Sequence, residues 1–295
     1  MQHYAMHGLI VASDIPVRAA HADPTPSPDV TIRIGETPDQ LPASAQQGAF
    51  YAVTPRQLLL RMPRIATYHV QDGRTITIAP APDADPDSIE LLLLGSPFAA
   101  LLQQRGLLTL HGAAIETPHG AALLLGQSSS GKSTIAAALW QRGYRLLSDD
   151  IAAITPTTCA VIPQTPYLRL WPRTLRHIGH PADKLERVRP ELEKRWLPLD
   201  AGFCPRNLSL HVIYLILPPH RDTASIQPLK GLEKVALLKR NTYRRAFYEQ
   251  TDRNVWYLRQ CTQLAQQVQI ARLQRPRRRF DLDSVVSALE EHWAE

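Results

Sequence analysis

One segment constrains the fold of this chain more than any other, residues 121–134, AALLLGQSSSGKST. An apolar run that predicts a buried strand leads into a loop rich in glycine and serine, and then into a run that predicts a helix. The loop fits the pattern G-x-x-x-x-G-K-[ST], with Gly126, Gly131, Lys132 and Ser133 at the fixed positions. A strand, a loop and a helix in this order favour a layered α/β domain.

Each fixed position of the motif has a physical reason. Gly126 and Gly131 permit backbone angles that turn successive N–H groups toward an anion, and the helix beginning at Ser133 adds the positive end of its dipole. The ammonium of Lys132 reaches β- and γ-phosphates, and the Ser133 hydroxyl ligates Mg²⁺. The segment predicts a nucleotide phosphate site, and the alternative is an ordinary surface loop. The predicted binding residues are Gly126, Gln127, Ser128, Ser129, Ser130, Gly131, Lys132, Ser133 and Thr134.

Two adjacent carboxylates, Asp149 and Asp150, follow the strand predicted at 144–147, which we expect to lie next to the strand that precedes the loop. Phosphoryl transfer requires a metal ligand and a group that orients and deprotonates the nucleophile. An adjacent pair at a strand end can divide these two tasks. Without the loop, the same pair would predict a turn or a helix cap.

A histidine, His111, lies near the end of the apolar strand predicted at 108–115, just before the loop strand, and is followed by Gly112. A lone histidine at such a place is most often a structural residue whose ring nitrogens are satisfied by neighbours. Its position next to the loop makes it a candidate site residue.

The order of these features resembles the C-terminal catalytic domain of the HPr kinase/phosphorylase family. From residue 110 to residue 150 the chain reads LHGAAIETPHGAALLLGQSSSGKSTIAAALWQRGYRLLSDD. The resemblance implies the P-loop kinase fold that this family shares with phosphoenolpyruvate carboxykinase. It further implies ATP and Mg²⁺ as cofactors and a seryl hydroxyl as the phosphoryl acceptor.

On matching positions, the resemblance implies a role for each residue. Lys132 would bind the β- and γ-phosphates, Ser133 and Asp150 would bind Mg²⁺, Asp149 would be the catalytic base, and His111 would lie on the phosphate or substrate side. Two departures limit what is carried over. Residues 1–87 do not look like the usual N-terminal domain of the family, and its signature run after the aspartates has no counterpart. That run reads Leu-Glu-Val-Arg-Gly-Leu-Gly, and the nearest stretch, residues 192–198, has no glycine. The resemblance therefore carries over neither HPr as the substrate nor the phosphorylase reaction, and both are left open.

Outside the catalytic stretch, the chain looks more like the divergent HPr-kinase-like proteins of bacterial gene clusters. Some of these resemble tailoring kinases for ribosomally made peptides such as lasso peptides. This implies a peptide or a small protein as the phosphoryl acceptor. The alternatives are a small-molecule kinase or a carboxykinase-type enzyme on the same site, and an ATP-binding regulatory module that transfers nothing.

Composition divides the chain near residue 87. Residues 1–87 carry 11 of the 25 prolines and short β-like segments at 30–34, 50–53, 66–71 and 75–78, the last two joined by a hairpin at Asp72-Gly73. A linker-like stretch ends at Ser88, a predicted helix N-cap, and Ser96-Pro97 predicts the start of a second helix. We predict a Pro-rich, β-rich N-terminal region over 1–87 and a P-loop catalytic domain over 88–295.

Charge and cysteine content limit the partners and the compartment. Residues 227–279 hold thirteen Lys and Arg against three acids, within a net charge of +6 for the chain. The basic run at 275–279 would attract an acidic or phosphate-bearing substrate, or merely end the preceding strand. No nucleic-acid module and no membrane span are predicted, homo-oligomerisation is left open, and three widely spaced cysteines favour the cytoplasm.

Overall fold

The computed structural model of this chain describes residues 1–221, 223–249, 251–276 and 281–294. It is a mixed α/β fold with several sheets. None of the helices within these residues has the length and apolar character needed to cross a membrane.

The first sheet covers the N-terminal part of the chain. Its strands are β1 (Gln2–Met6), β2 (Leu9–Ser13), β3 (Ala20–His21), β4 (Val30–Ile34), β5 (Gln46–Gln47), β6 (Tyr51–Val53), β7 (Gln57–Met62), β8 (Ala66–Gln71) and β9 (Thr75–Pro80). Over the described residues, their order is β3-β1-β2-β4-β9-β8-β7-β6-β5. The predicted hairpin is confirmed: β8 and β9 pair antiparallel, and Asp72 and Gly73 have φ values of 55° and 63°.

Two helices, α1 (Pro86–Leu93) and α2 (Ser96–Gln104), follow this sheet and pack against it. The N-cap predicted at Ser88 is wrong by three residues. The side chain of Asp85 accepts a hydrogen bond from the N–H of Ser88 at 2.8 Å, and Pro86 takes a first-turn position where its missing N–H costs nothing. Gly95, not Ser96, precedes the first residue of α2.

The apolar core under the N-terminal sheet continues beyond the boundary predicted at residue 87. It contains Ile32 and Tyr68 of the sheet and Phe98 of α2, together with Trp196 and Phe247 from much later in the chain. The two predicted regions therefore share buried surface. The domain boundary itself stays a prediction.

The remainder of the described chain forms two further sheets and six helices. The strands are β10 (Leu108–Thr117), β11 (Gly120–Leu125), β12 (Leu146–Ser148), β13 (Ile151–Thr155), β14 (Ala160–Ile162), β15 (Tyr167–Leu170), β16 (Arg187–Arg189), β17 (Leu192–Pro198), β18 (Leu208–Arg221), β19 (Ser225–Pro228) and β20 (Gln269–Pro276). The helices are α3 (Lys132–Gln141), α4 (Pro172–His177), α5 (Leu232–Arg240), α6 (Ala246–Glu249), α7 (Asn254–Gln267) and α8 (Leu282–Ala294). Strands β15, β17 and β16 form the smaller sheet, and the other strands form the larger one.

Three parallel strands, β11, β18 and β20, form the part of the larger sheet that positions the loop. Their side chains alternate between the two faces, as the period of two requires. Leu124 and Tyr214 lie in the core shared with α3 and α8, whereas Leu123 and Ile213 lie in the core shared with α5 and α7. Because the strands are parallel, their carboxyl ends meet at the edge where the loop begins.

The two candidate carboxylates directly follow β12 at this edge, but the strand next to β12 is not the one expected from the sequence. It pairs antiparallel with β10 rather than with β11. Strand β10 also pairs with β11 and with β13, so that it lies between the loop strand and the carboxylate turn. This arrangement places His111, on β10, between the loop strand and the carboxylate turn.

The cap of α1 gives a stability prediction. We expect Asp85→Ala to lower the free energy of unfolding by about 1 kcal/mol, because it removes the side-chain acceptor for the N–H of Ser88. Ser88→Ala keeps that acceptor and is the matched control. Urea unfolding measures both. If Ser88→Ala lost the larger amount, the cap would belong to Ser88 after all.

Candidate functional site

The loop between β11 and α3 has the backbone geometry of an anion cradle. Gly126 and Gly131 have φ values of 152° and 98°, and Ser129 also lies at positive φ. Gly131 is the N-cap of α3, and no side chain caps the helix. The first N–H groups of the helix are therefore available to an anion, which the helix dipole also favours.

Lys132, the first residue of α3, folds its side chain back over the loop. Its Nζ donates to the carbonyl oxygens of Gly126 at 2.9 Å and Gln127 at 3.0 Å. Burial lowers the pKa of Lys132, and the neighbouring carboxylates of Asp150 and Asp149 act against this effect. The ammonium group lies where both the loop and the two carboxylates attract it.

Ser133 contacts Asp149. The Ser133 hydroxyl donates to Oδ1 of Asp149 at 2.8 Å, and the backbone N–H of Arg169 donates to Oδ2 at 3.2 Å. The backbone N–H of Asp149 donates in turn to the side chain of Gln164 at 3.2 Å. Asp149 is buried. The carboxylate of Asp149 is thus fixed between the first turn of α3 and strand β15. The resemblance implies a different pair for Mg²⁺, Ser133 and Asp150.

Asp150 has a different set of partners. Its Oδ2 lies 2.7 Å from Nη2 of Arg169, and its Oδ1 lies 3.4 Å from Nδ1 of His111. Burial disfavours the ionised carboxyl, but Arg169 and His111 outweigh burial and hold the pKa of Asp150 below its usual value. The residue has a φ of 81°, which is uncommon outside glycine and costs free energy. This backbone angle turns Asp150 away from the direction taken by Asp149.

The tautomer of His111 follows from its contacts. Nδ1 lies 3.0 Å from the carbonyl oxygen of Asp150, which can only accept a hydrogen bond, so Nδ1 carries a proton. Burial lowers the pKa of His111, which favours the neutral ring although Asp150 pulls the other way. In the neutral ring, Nε2 is an acceptor. His111 lines a cavity and lies close to Tyr243, with ring centroids 5.8 Å apart.

This cavity, of about 830 Å³, lies beside the loop. Loop residues form one wall, the carboxyl end of β18 forms another, and α5 with the segment after it forms a third. His111 of β10 and Arg272 and Arg275 of β20 also line it. Gln127, Ser128, Ser129 and Ser130 all line it. The other predicted binding residues, Gly131, Lys132, Ser133 and Thr134, do not line it. The hydroxyl of Thr134 lies 3.2 Å from that of Thr174 on α4.

Sequence reasoning missed Arg169, which contacts both carboxylates. Burial opposes its charge, yet Asp150 and Asp149 raise the pKa of Arg169 above its ordinary value. The signal was present in the strand pattern: Leu168 and Leu170 are fully buried in the core, so the residue between them must point to the opposite face. Nothing in the sequence showed that this face meets the carboxylate turn.

The basic run at the end of β20 is only partly described. Arg275 lines the cavity next to the loop. Arg277, Arg278 and Arg279 lie outside the described residues.

No protein-family model matches the chain, and a search of curated proteins gives no match. Among solved structures, the chain is similar to the Hpr(Ser) kinase/phosphatase from Coxiella burnetii at 12% sequence identity, over 62% of this chain and 89% of that chain, with a TM-score of 0.30. A similarity at this level supports no argument about the site. The assignments below depend on the contacts described above.

The pairing of Asp150 with Arg169 gives a pH prediction. A carboxyl whose pKa in the folded state lies below its ordinary 3.8 contributes stability that is present above that pH and is lost as pH falls through the folded value. Arg169→Gln leaves the carboxylate half-buried without its cation, so we expect a loss of about 1–3 kcal/mol at pH 7. The loss should shrink as pH falls, because without Arg169 the carboxyl of Asp150 takes up its proton at a higher pH than it does in the wild type, where its pKa is lowered.

Urea unfolding of both proteins at pH 7 and pH 3.5 measures this difference. Arg142→Gln is the matched control, since Arg142 pairs with Asp283 at an exposed site where such pairs contribute little. An Arg169→Gln loss of equal size at the two pH values would contradict the prediction, because the loss would then come from packing alone.

Proposed function

We propose that this chain is an ATP- and Mg²⁺-dependent kinase that phosphorylates a seryl hydroxyl of a peptide or a small protein. The observation that carries the proposal is the hydrogen bond between Ser133 of the loop and Asp149, with a second carboxylate at Asp150. Nucleotide binding alone requires one metal-binding carboxylate. Phosphoryl transfer also requires a group that orients the attacking hydroxyl.

The loop residues fit the phosphates of a nucleotide. Ser130 Oγ is buried and finds no hydrogen-bond partner among the described residues, a cost that a phosphate oxygen would remove. The N–H groups at the start of α3 are also uncapped by any side chain. Lys132 can exchange the two carbonyl oxygens that it now contacts for phosphate oxygens. Bound Mg²⁺ and ATP would supply the phosphoryl group and charge stabilisation for its transfer.

We assign the metal to Ser133 and Asp149, in place of the pair Ser133 and Asp150 expected from the sequence. A serine hydroxyl has one proton and two lone pairs. Because the proton of Ser133 goes to Asp149, both lone pairs remain for a cation, and the adjacent carboxylate adds negative charge. Oxygen ligands of this kind suit Mg²⁺.

Asp150 is then the residue that orients the acceptor hydroxyl and takes its proton. Arg169 keeps Asp150 ionised, and a carboxylate with a low pKa acts mainly by holding the hydroxyl in line, which is the larger part of catalysis in phosphoryl transfer. His111 donates from Nδ1 to Asp150 and offers Nε2 as a further acceptor beside the cavity. Arg169 is a positioning residue for both carboxylates.

The acceptor class rests on the sequence resemblance. The cavity of about 830 Å³ is lined by loop residues Gly126 to Ser130 and by Arg275, so we assign it to the nucleotide and not to the acceptor. A small-molecule kinase or a carboxykinase-type enzyme would use the same carboxylates. The three cysteines are buried and free, and we place the protein in the cytoplasm on that basis.

Lys132→Ala tests nucleotide binding. It removes the mobile cation of the loop, so we expect ATP affinity and ATP turnover to fall by at least about 100-fold. Lys184→Ala is the matched control, because Lys184 is exposed and lies in a short 3₁₀ turn after α4. Calorimetric titration with ATP and Mg²⁺ gives the affinity. Wild-type binding in the Lys132 variant would exclude the loop as the phosphate site.

Asp149→Asn and Asp150→Asn test the division of roles. The first should raise the Mg²⁺ concentration needed for half-maximal activity. The second should leave Mg²⁺ and ATP affinity unchanged and lower transfer by about 10²–10⁴-fold, the usual effect of losing a general base.

Parallel Mg²⁺ titrations of the two variants, with ATP affinity measured separately, distinguish the assignments. The opposite pattern would return the metal to Asp150, as the sequence alone suggested. Identical titrations and identical rates would show that the two carboxylates do not divide the work.

A further inference from the structure

Arg275 lies against the phosphate loop without being part of it. A Cβ placed on Gly131 would lie 3.1 Å from Nη1 of Arg275, so the guanidinium occupies the space that the missing side chain leaves. Arg275 also lines the cavity, together with Ser129 and Ser130 of the loop. Its remaining described contact is weak, since Nε lies 3.4 Å from the carbonyl oxygen of Leu217.

The topology fixes this position. Strands β11, β18 and β20 are parallel, and β18 lies between the other two. Leu217, near the carboxyl end of β18, is paired with Gln274, the residue before Arg275. Arg275, the next-to-last residue of β20, therefore lies at the same edge of the sheet where β11 continues into the loop. In open α/β sheets, ligands bind at the carboxyl ends of parallel strands.

The charge of Arg275 is not neutralised by the residues described around it. Arg169 pairs with Asp150, and Arg272, also in the cavity wall, pairs with Glu233 at 2.9 Å. No carboxylate forms a salt bridge with Arg275 anywhere in the described ranges. Burial lowers the pKa of Arg275. A half-buried guanidinium without a counter-ion costs free energy in the folded protein, and an anion bound beside it would remove that cost.

We propose that Arg275 binds the phosphate chain of the nucleotide, as a second cation opposite Lys132 on the same loop. The inference rests on the proposed function, since it requires that the loop bind a nucleotide. The two cations differ in kind: Lys132 is a mobile point charge, whereas the guanidinium is a planar donor held by β20. Gly131 has a φ of 98°, which disfavours any side chain there, and a Cβ would also lie 3.1 Å from Nη1 of Arg275.

This role differs from the one that the basic run suggested. A solvent-exposed arginine that recruits an acidic acceptor would act at long range and would be screened by salt. Arg275 instead lies beside the loop, so its loss should weaken nucleotide binding and leave acceptor binding unchanged. Arg240, which also lines the cavity, is exposed and does not touch the loop in this way.

The experiment measures binding of two probes to the full chain by calorimetry with Mg²⁺ present. One probe is a non-hydrolysable ATP analogue, and the other is inorganic tripolyphosphate, which has no base or sugar. We expect Arg275→Gln to weaken both by the same factor, about 10- to 100-fold, which is the range for one lost charge-assisted hydrogen bond. Arg275→Lys should recover part of the loss, because it restores the charge without the planar fork.

Arg259→Gln is the matched control, since Arg259 is exposed on α7 and does not line the cavity. Thermal unfolding is measured alongside. Removing an unpaired, half-buried cation should leave the melting temperature unchanged or raise it, whereas a structural arginine would lower it on removal.

Three results would overturn the proposal. Unchanged tripolyphosphate binding in Arg275→Gln would show that Arg275 does not contact phosphate. A loss confined to the ATP analogue would place the guanidinium on the base or the sugar. A lower melting temperature with unchanged affinities would make Arg275 structural. Failure of the wild-type chain to bind either probe would instead refute the proposed function, and that outcome is distinct from the other three.

Discussion

The site depends on one short turn, Asp149 and Asp150 between β12 and β13. Asp149 receives hydrogen bonds from α3, through Ser133, and from β15, through the backbone of Arg169. Asp150 meets the side chain of Arg169 and His111 of β10. Three elements that are distant in sequence therefore meet at two consecutive carboxylates. Since an unpaired buried carboxylate is costly, these contacts offset the burial of the two carboxylates.

The two adjacent aspartates acquire different partners through the backbone. Asp149 takes the direction set by β12 and reaches the first turn of α3. Asp150 adopts a φ of 81°, a conformation that non-glycine residues rarely occupy, and turns toward β10 and β15. Strained backbone of this kind persists only where the surroundings over-determine it, and here an arginine and a histidine do so. The strained φ of Asp150 thus allows two consecutive residues to direct their carboxylates toward different partners.

The sequence predicted what depends on local pattern, and it missed what depends on distant contacts. The loop motif, the strand before it and the helix after it are encoded within residues 121–141 and form where expected. Helix caps are also local, yet the N-cap prediction at Ser88 failed. Asp85 is an equally good cap residue, and Pro86 directly after it takes the first-turn position. Arg169 pairs with Asp150, which lies many positions before it in the sequence. Strand β12 pairs with β10 rather than with β11, the neighbour expected from the sequence. Such pairings depend on the tertiary fold, which periodicity does not show.

The N-terminal sheet gains a physical connection to the site through Trp196, which sequence reasoning did not single out. The guanidinium groups of Arg18 and Arg169 lie 5.3 Å and 5.7 Å from the centre of the Trp196 ring. Arg18 is itself held by Asp87, Glu90 and Glu186, at the junction of the N-terminal sheet with α1 and β16. At these distances the Trp196 ring attracts both guanidinium groups, and one of them, that of Arg169, pairs with Asp150. The N-terminal region therefore does more than cover apolar surface. Through Arg18 it contacts the same aromatic ring that Arg169 contacts.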